Sequence, residues 1–213
     1  IKKSSIWVSA GESLTNLLTT ANKYGISSFN FLAGIPASAG GAITMNAGSF
    51  GFSISKLVKE VYFLDKDLKV KSLPVFKCGF GYRESIFKNS SKIVLGAKFK
   101  SRLKENLPDI EKIINQRKRK IPSSPSPGCI FKNPKNTDLS AGELIDYAGC
   151  KGLSIGDAAV SKKHANFIIN RGSAKKRHVM RLIDLVREKV YEKFRVSLTP
   201  EIEILNPRYT ACP

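Results

Sequence analysis

Cys129, Arg83 and Glu201 are the side chains in this sequence best suited to acid–base and carboxylate chemistry. Cys129 lies in the segment GCIFKNP, directly after a proline-rich stretch. A cysteine thiol has an ordinary pKa of about 8.5, so it is mostly protonated at neutral pH and can donate a proton. Arg83 follows the turn Gly79–Gly81, where its guanidinium could hold a carboxylate through two parallel hydrogen bonds. Glu201 lies in the strand-like sequence TPEIEI, from which its carboxylate could point inward.

Each of these residues also has a purely structural interpretation. A lone cysteine is more often a small buried apolar residue than a reactive one. Arg83 could form an ordinary surface pair with Glu84, and Glu201 could be a solvated charge on an edge strand. The residue types alone therefore leave both interpretations open.

Small residues are unusually dense between Gly34 and Gly51, in the sequences GIPASAGGA and NAGSFG. A backbone without large side chains can approach a ligand closely, and a diphosphate or the edge of a flavin would suit such a segment. It matches neither the Walker nor the Rossmann pattern, and tight turns packed against a helix are the alternative. Residues 24–55 carry no charge, but the prolines and glycines among them exclude an uninterrupted membrane helix. We therefore expect a buried or ligand-facing loop here, and no membrane insertion.

The charge balance indicates anionic partners. Lys and Arg total 36 against 17 Asp and Glu, so the formal net charge is +19. Nucleic acid, acidic lipid and phosphorylated ligands all fit this surplus, as does a surface that is simply rich in lysine. The basic clusters Arg117–Lys120 and Lys175–Arg177 could bind phosphates or be solvated helix ends. Neither lies beside an aromatic platform or a helix-turn-helix pattern, so we do not expect nucleic-acid binding.

The four cysteines, at positions 78, 129, 150 and 212, lie too far apart for a zinc-binding pattern, and the sequence has only two histidines. We therefore expect no metal site. Scattered thiols without disulfide-type spacing or a signal peptide are typical of a cytoplasmic protein.

Helices and strands interleave without a repeating period, which favours the α+β class. A boundary near residue 100 divides the chain into domains 1–100 and 101–213. Capping residues and apolar periodicity predict helices after Ser13, over 110–120, after Ser140 and around 179–190. Residues 121–128 should form a loop. Strands are predicted at 6–8, 57–64, around 70, at 93–99, 158–160, 166–169 and 201–205.

Five segments follow one another along the chain: FLAGIPASAGGAITMNAGSFG, GYRESIFK, GCIFKNP, AGELIDYAGCKGLSIGDAAVSKKHANFIIN and LVREKVYEKFRVSLTPEIEIL. In this order they resemble the UDP-N-acetylenolpyruvoylglucosamine reductase (MurB) family. The first segment is similar to the family pattern GIPGxxGGAxxMNAGAYG, and the likeness runs from about Val8 to Leu205.

The resemblance implies that residues 1–100 are the carboxyl-terminal portion of an FAD-binding (PCMH-type) α+β domain. Residues 101–213 would be a smaller α+β substrate-binding domain. The implied activity is the FAD-dependent reduction, by NADPH, of the enolpyruvyl group of UDP-N-acetylglucosamine enolpyruvate to UDP-N-acetylmuramate, in peptidoglycan precursor synthesis. The implied protein is a cytoplasmic monomer. The family's GGGSN-like loop has no counterpart here, so the alternative is a truncated module that binds the nucleotide sugar without flavin or turnover.

The resemblance also assigns roles to residues. Arg83 and Glu201 would polarise the substrate carboxylate, and Cys129 would be the proton donor where many family members have serine. The short spacing between Arg83 and Cys129 resembles the shorter family variant, which lacks an inserted tyrosine loop. Substrate would also contact Tyr82, Lys120 and Asn133. FAD would contact, largely through the backbone, Gly34, Ile35, Pro36, Gly40, Gly41, Asn46 and Gly48.

Overall fold

The structure, a computed structural model, describes residues 5–101 and 109–205. The chain forms two compact units, Ile1–Arg117 and Lys118–Pro213. Each unit combines helices with antiparallel strands, which confirms the predicted α+β class. The two units divide after Arg117, beyond the boundary that the sequence placed near residue 100.

The first unit is built on a four-stranded antiparallel sheet in the order β1-β6-β4-β5. Short 3-10 turns connect several of its elements. In chain order, the helices and strands are β1 (Ser5–Ser9), α1 (Leu14–Lys23), α2 (Ala39–Thr44), β2 (Gly48–Ser49), β3 (Phe52–Ser53), β4 (Val58–Leu64), β5 (Val70–Pro74), β6 (Ile93–Lys100) and α3 (Ile110–Lys120).

Helix α1 forms where the sequence predicts it. The Ser13 hydroxyl accepts a hydrogen bond from the Asn16 amide (3.0 Å) and satisfies one of the amides that the first turn leaves without a helical partner. The helix buries one apolar stripe, because its leucines and alanine recur at helical spacing. That stripe consists of Leu14, Leu17, Leu18 and Ala21, all in the core of the first unit.

The second unit combines two helices with a three-stranded antiparallel sheet. The elements are α4 (Ala141–Tyr147), β7 (Ser154–Ile155), β8 (Ala158–Val160), β9 (Ile168–Asn170) and α5 (Lys176–Phe194). The strand order is β7-β8-β9; α5 packs on β7 and β8, and α4 packs on α5. Helix α4 begins with the predicted capping box, in which Ser140 and Glu143 each accept from the other's backbone amide. Helix α5 buries the predicted face through Leu182, Ile183, Val186 and Val190.

The predicted strand at 201–205 is wrong. Pairing there is limited to an isolated bridge between Phe131 and Pro200 and to a hydrogen bond from the Glu201 amide to the Ile130 carbonyl (2.7 Å). Continuing this antiparallel register would bring residue 203 opposite Gly128. Gly128 has a φ of 92°, which is not extended backbone, and its amide donates to the Ser126 hydroxyl (3.3 Å), so the ladder ends there.

The glycine-rich stretch is not one continuous loop. It contains the six-residue helix α2, which Ser38 caps, and the hairpin formed by β2 and β3. Glycine disfavours a helix by about 1 kcal/mol relative to alanine, so the local helix propensity of this segment did not predict α2. Packing explains why it forms, since a Cβ atom on Gly40 would lie 2.8 Å from the Cβ atom of Ala10.

Candidate active site

Arg83 is held beside the β2–β3 hairpin by the turn that contains it. The turn closes through a hydrogen bond from the Gly81 amide to the Glu84 carbonyl (3.0 Å), and Arg83 itself has a left-handed backbone with a φ of 56°. Its Nη2 atom donates to the Gly48 carbonyl (3.3 Å), and its guanidinium carbon lies 5.1 Å from the ring centre of Tyr82. The guanidinium group is therefore fixed against the glycine-rich segment.

Asn46 joins that segment to the turn before Arg83. Its side chain is 7% exposed, donates to the Gly81 carbonyl (2.7 Å) and accepts from the Ser55 amide (3.2 Å). A second tie runs from the Ser85 hydroxyl to the Thr44 carbonyl (2.7 Å). These buried bonds bring together four predicted site residues of the first unit: Asn46, Gly48, Tyr82 and Arg83.

The backbone amides at the start of α2 donate hydrogen bonds to other groups of the protein. The amides of Ala39 and Gly40 donate to the Glu12 and Ala10 carbonyls, at 2.7 and 2.8 Å, and the Gly41 amide donates to the Ser38 hydroxyl. Gly40 is buried and supports the packing of α2. The predicted residues that present small uncharged surface to solvent are Gly34, Pro36 and Gly41, with Ile35 half-buried among them.

Arg117 belongs with this group, although the sequence placed it only in a basic cluster at the end of a helix. Its Nη2 atom donates to the Ser49 hydroxyl (3.0 Å) and its guanidinium carbon lies 5.8 Å from the ring centre of Phe50. Its Cδ atom would lie 3.0 Å from a Cβ atom on Gly34. The sequence contains a signal for this position. Arg117 follows Ile110 by seven residues, which is about two helical turns, so both side chains lie on the inward face of α3. Two arginines therefore flank the hairpin, an arrangement suited to an anionic or conjugated ligand.

In the second unit, backbone pairing brings together the segments that carry Cys129 and Glu201. The half-buried Cys129 pairs with Phe167 in an antiparallel bridge. On the other side of the same segment, the Lys132 amide donates to the Thr199 carbonyl (2.9 Å) and the Glu201 amide donates to the Ile130 carbonyl (2.7 Å). Since Ile130 directly follows Cys129, the predicted proton donor and the predicted carboxylate lie on adjacent stretches of backbone.

Asn166, a residue to which the sequence assigns no role, fixes the Cys129 segment. It is 3% exposed, and its backbone carbonyl accepts a hydrogen bond from the Ile130 amide (2.8 Å). Its side-chain oxygen accepts from the Phe131 amide (2.9 Å), and its side-chain nitrogen donates to the Phe131 carbonyl (2.8 Å). The only sequence signal was a polar residue inside an apolar stretch. Its partner Phe131 lies 35 residues away along the chain, so the sequence could not identify this contact.

Lys120 and Asn133 are both exposed in the second unit. Lys120 ends α3, and its positive charge acts on His164. The Asn133 side-chain carbonyl accepts from the Ala141 amide (3.0 Å) and so supports the first turn of α4.

The other described thiols are buried. Burial raises the pKa of Cys78 to about 11 and also raises the pKa of Cys150, so both are neutral packing groups.

Comparison with known proteins identifies the family. Residues 119–205 match the C-terminal domain of UDP-N-acetylenolpyruvoylglucosamine reductase. The reductase of Aquifex aeolicus is 40% identical over 203 residues, an alignment covering 92% of this chain and 66% of the relative. That of Caldanaerobacter subterraneus is 38% identical over 212 residues, covering 98% and 70%. The crystal structure of the reductase (MurB) from Thermus caldophilus superimposes with a TM-score of 0.76 at 35% identity, covering 93% of this chain and 71% of that one.

The chain belongs to the UDP-N-acetylenolpyruvoylglucosamine reductase family. The resemblance predicted from the motifs is thus confirmed. The chain spans about two thirds of the length of the curated relatives it matches. Within residues 5–101 and 109–205, no helix is long and apolar enough to span a membrane. In the same part of the chain, no cluster of three or more His, Cys, Asp or Glu side chains could hold a metal ion.

Replacing Asn166 by leucine is expected to lower the free energy of unfolding by about 2–4 kcal/mol, because two buried backbone groups of Phe131 lose their partners at about 1–3 kcal/mol each. Urea denaturation measures the effect. Asn115→Leu, at an exposed position of α3, is the matched control and should change stability little. A loss at Asn166 no larger than that of the control would show that the clamp on Phe131 does not stabilise this unit.

Proposed function

We propose that this chain acts in the FAD-dependent reduction, by NADPH, of UDP-N-acetylglucosamine enolpyruvate to UDP-N-acetylmuramate, a step of peptidoglycan precursor synthesis. Membership of the reductase family supports the reaction class. The observation that carries the proposal is the hydrogen bond between the Glu201 amide and the Ile130 carbonyl (2.7 Å). It pairs the stretch of backbone that carries Glu201 with the stretch that carries Cys129, and in this proposal both side chains act on the substrate.

The first unit offers a surface that fits FAD. Exposed glycine and proline at Gly34, Pro36 and Gly41 leave room for a flat ring system, and Asn46 holds the backbone that carries Gly48. Arg83 adds a guanidinium group suited to anionic oxygen atoms. In this proposal Ile35 contacts the cofactor and Gly40 supports the surface from beneath. Bound FAD, once reduced by NADPH, would supply the hydride.

The protein's own residues would handle charge and protons. Addition of a hydride to the methylene carbon of the enol ether moves negative charge onto the adjacent carboxylate. Arg83, with Glu201, would polarise that carboxylate and stabilise the developing charge. Cys129 would then deliver its thiol proton to the neighbouring carbon, and the resulting thiolate would regain a proton from solvent.

Further contacts would hold the nucleotide sugar. The exposed ammonium group of Lys120 suits the diphosphate, and Tyr82 and Asn133 would contact the substrate beside it. The surplus of positive charge would favour the approach of both polyanions, the nucleotide sugar and NADPH. The monomeric state and the cytoplasmic location stay predictions.

A visible absorption spectrum tests the proposal. The purified chain is incubated with FAD, desalted and scanned. We expect a retained flavin band that NADPH bleaches and the nucleotide sugar restores. In Gly41→Glu, an added negative charge on the exposed surface should remove the band. Gly41→Ala is the matched control, because its Cβ atom would lie in ordinary contact, 3.4 Å from the Ser38 hydroxyl.

The other outcomes discriminate between alternatives. A flavin band that the nucleotide sugar does not restore would contradict the proposed substrate. A colourless protein that still releases heat on calorimetric titration with the nucleotide sugar would favour a binding module without flavin or turnover. A colourless protein with no heat at millimolar ligand would contradict both.

A further inference from the structure

His164 occupies a rigid position beside the Cys129 segment. Its loop is closed by hydrogen bonds from the His164 amide to the Ser161 hydroxyl (3.3 Å) and from the Phe167 amide to the His164 carbonyl (3.0 Å). Its half-buried ring has its centre 4.8 Å from that of Phe167 and lies against Gly142 in the first turn of α4, where a Cβ atom would be 3.2 Å from Cε1. The ring therefore has little freedom to turn.

The ring nitrogen Nδ1 accepts a hydrogen bond from the Asn166 amide (3.3 Å). An imidazole nitrogen can accept only when it carries no proton, so this bond requires the neutral ring with its proton on Nε2. Burial lowers the pKa of His164 below its ordinary value of 6.5, and the charges of Lys120 and Lys151 lower it further. Lys120 lies at the end of α3, and Lys151, after α4, forms an ion pair with Asp146 (2.5 Å).

Asn166 links this ring to the Cys129 segment. The Asn166 amide donates a hydrogen bond to His164. The Asn166 carbonyl and side chain form hydrogen bonds with Ile130 and Phe131, respectively. We infer that His164 is a positioning residue that holds the Cys129 segment in place through Asn166 only while its ring is neutral. The inference rests on the proposed function for its catalytic consequence, but its structural part does not.

Protonation of the ring would break the link. Imidazolium carries a hydrogen on both nitrogens, so Nδ1 and the Asn166 amide would then both be donors facing each other. The bond would be lost, and Asn166 would no longer fix the backbone on either side of Ile130. Because the neutral fraction of the ring falls about tenfold for each pH unit below its pKa, turnover should fall with the same slope on the acid side.

Nuclear magnetic resonance tests the structural part without turnover. The chain has two histidines, His164 and His178, so their ring signals can be assigned by replacing one of them. We expect the amides of Asn166, Ile130 and Phe131 to shift with the same midpoint as the His164 ring, below pH 6.5. In His164→Gln, whose amide oxygen accepts but does not titrate, these shifts should disappear. In the control His178→Gln they should remain.

Turnover in the presence of FAD and NADPH tests the catalytic part. The ratio of kcat at pH 5.5 to kcat at pH 7.5 should be higher in His164→Gln than in the unsubstituted chain, with the KM less affected. His164→Phe, which lacks an acceptor, should lower kcat at both pH values. If His164 had a merely structural role, His164→Gln would have the same ratio of kcat at pH 5.5 to kcat at pH 7.5 as the unsubstituted chain.

The two proposals fail in different ways. If the amide chemical shifts do not change as His164 titrates and turnover is normal, the inference is overturned and the proposed function stands. Coupled amide shifts without turnover at any pH would support the holding role of His164 and overturn the proposed function. Amide shifts that persist in His164→Gln would also overturn the inference, because another group would then cause them.

Discussion

Replacing Cys129 by alanine is expected to lower product formation by about 10²–10⁴-fold, the range typical of a lost general acid. The substitution removes the thiol proton but leaves the backbone pairing of Cys129 with Phe167, which involves no side-chain atom. Reduction of bound flavin by NADPH should be unchanged, because that half-reaction precedes the need for the proton. Stopped-flow absorbance separates the two half-reactions.

Two further cysteine variants complete this experiment. Cys129→Ser should retain activity, since a hydroxyl can occupy the same place and donate a proton. Cys78→Ala is the matched control: the Cys78 thiol is buried in the core of the first unit and its pKa is raised to about 11, so its loss should affect stability and not the proton step. Undiminished turnover of Cys129→Ala would show that another group protonates the substrate.

Replacing Arg83 by glutamine is expected to lower kcat by about 10²–10³-fold, as for the loss of a hydrogen-bond donor that stabilises charge in the transition state. The left-handed backbone at this position (φ 56°) is equally strained for both side chains, so the change should not act through the turn. Arg83→Lys should recover only part of the rate, because an ammonium group cannot form the paired hydrogen bonds of a guanidinium. Steady-state kinetics measure both variants.

Arg187→Gln provides the control for net charge. Arg187 lies on α5 with its side chain about half exposed and 3.9 Å from Asp184. Its replacement removes one positive charge from a residue that has no role in the proposal. Its kcat should match that of the unsubstituted chain. Equal effects of the two glutamine variants would mean that overall charge, and not the placement of Arg83, controls the reaction.

Local signals were sufficient where the sequence itself contained the stabilising partners. Ser13 caps α1 within four residues, and the Ser140–Glu143 capping box is complete in the sequence, so both helices were predicted from the correct residue. Strands β4 and β6 were predicted because they are apolar and bounded by turn residues.

The features that the sequence did not predict depend on partners that lie far away along the chain. The segment 201–205 has the composition of a strand, but whether it pairs depends on Gly128 in the opposite segment, whose backbone is not extended. Helix α2 forms against the propensity of its glycines because it packs on Ala10. The contacts of Asn166 with Phe131 and of Arg117 with Ser49 join residues that are remote in the sequence. The motifs predicted the family correctly, whereas the catalytic roles of Arg83, Cys129 and Glu201 stay predictions.

The close approach of Gly40 to Ala10 has an evolutionary consequence. A methyl group at position 40 would lie 2.8 Å from the Cβ atom of Ala10 and 3.1 Å from its carbonyl oxygen, so the two positions cannot both carry one in the present backbone. Glycine at position 10 would remove only the first of these contacts, because the second is to a backbone atom. Position 40 is therefore expected to stay glycine among homologous sequences even where position 10 varies, although neither residue contributes a functional group to the chemistry.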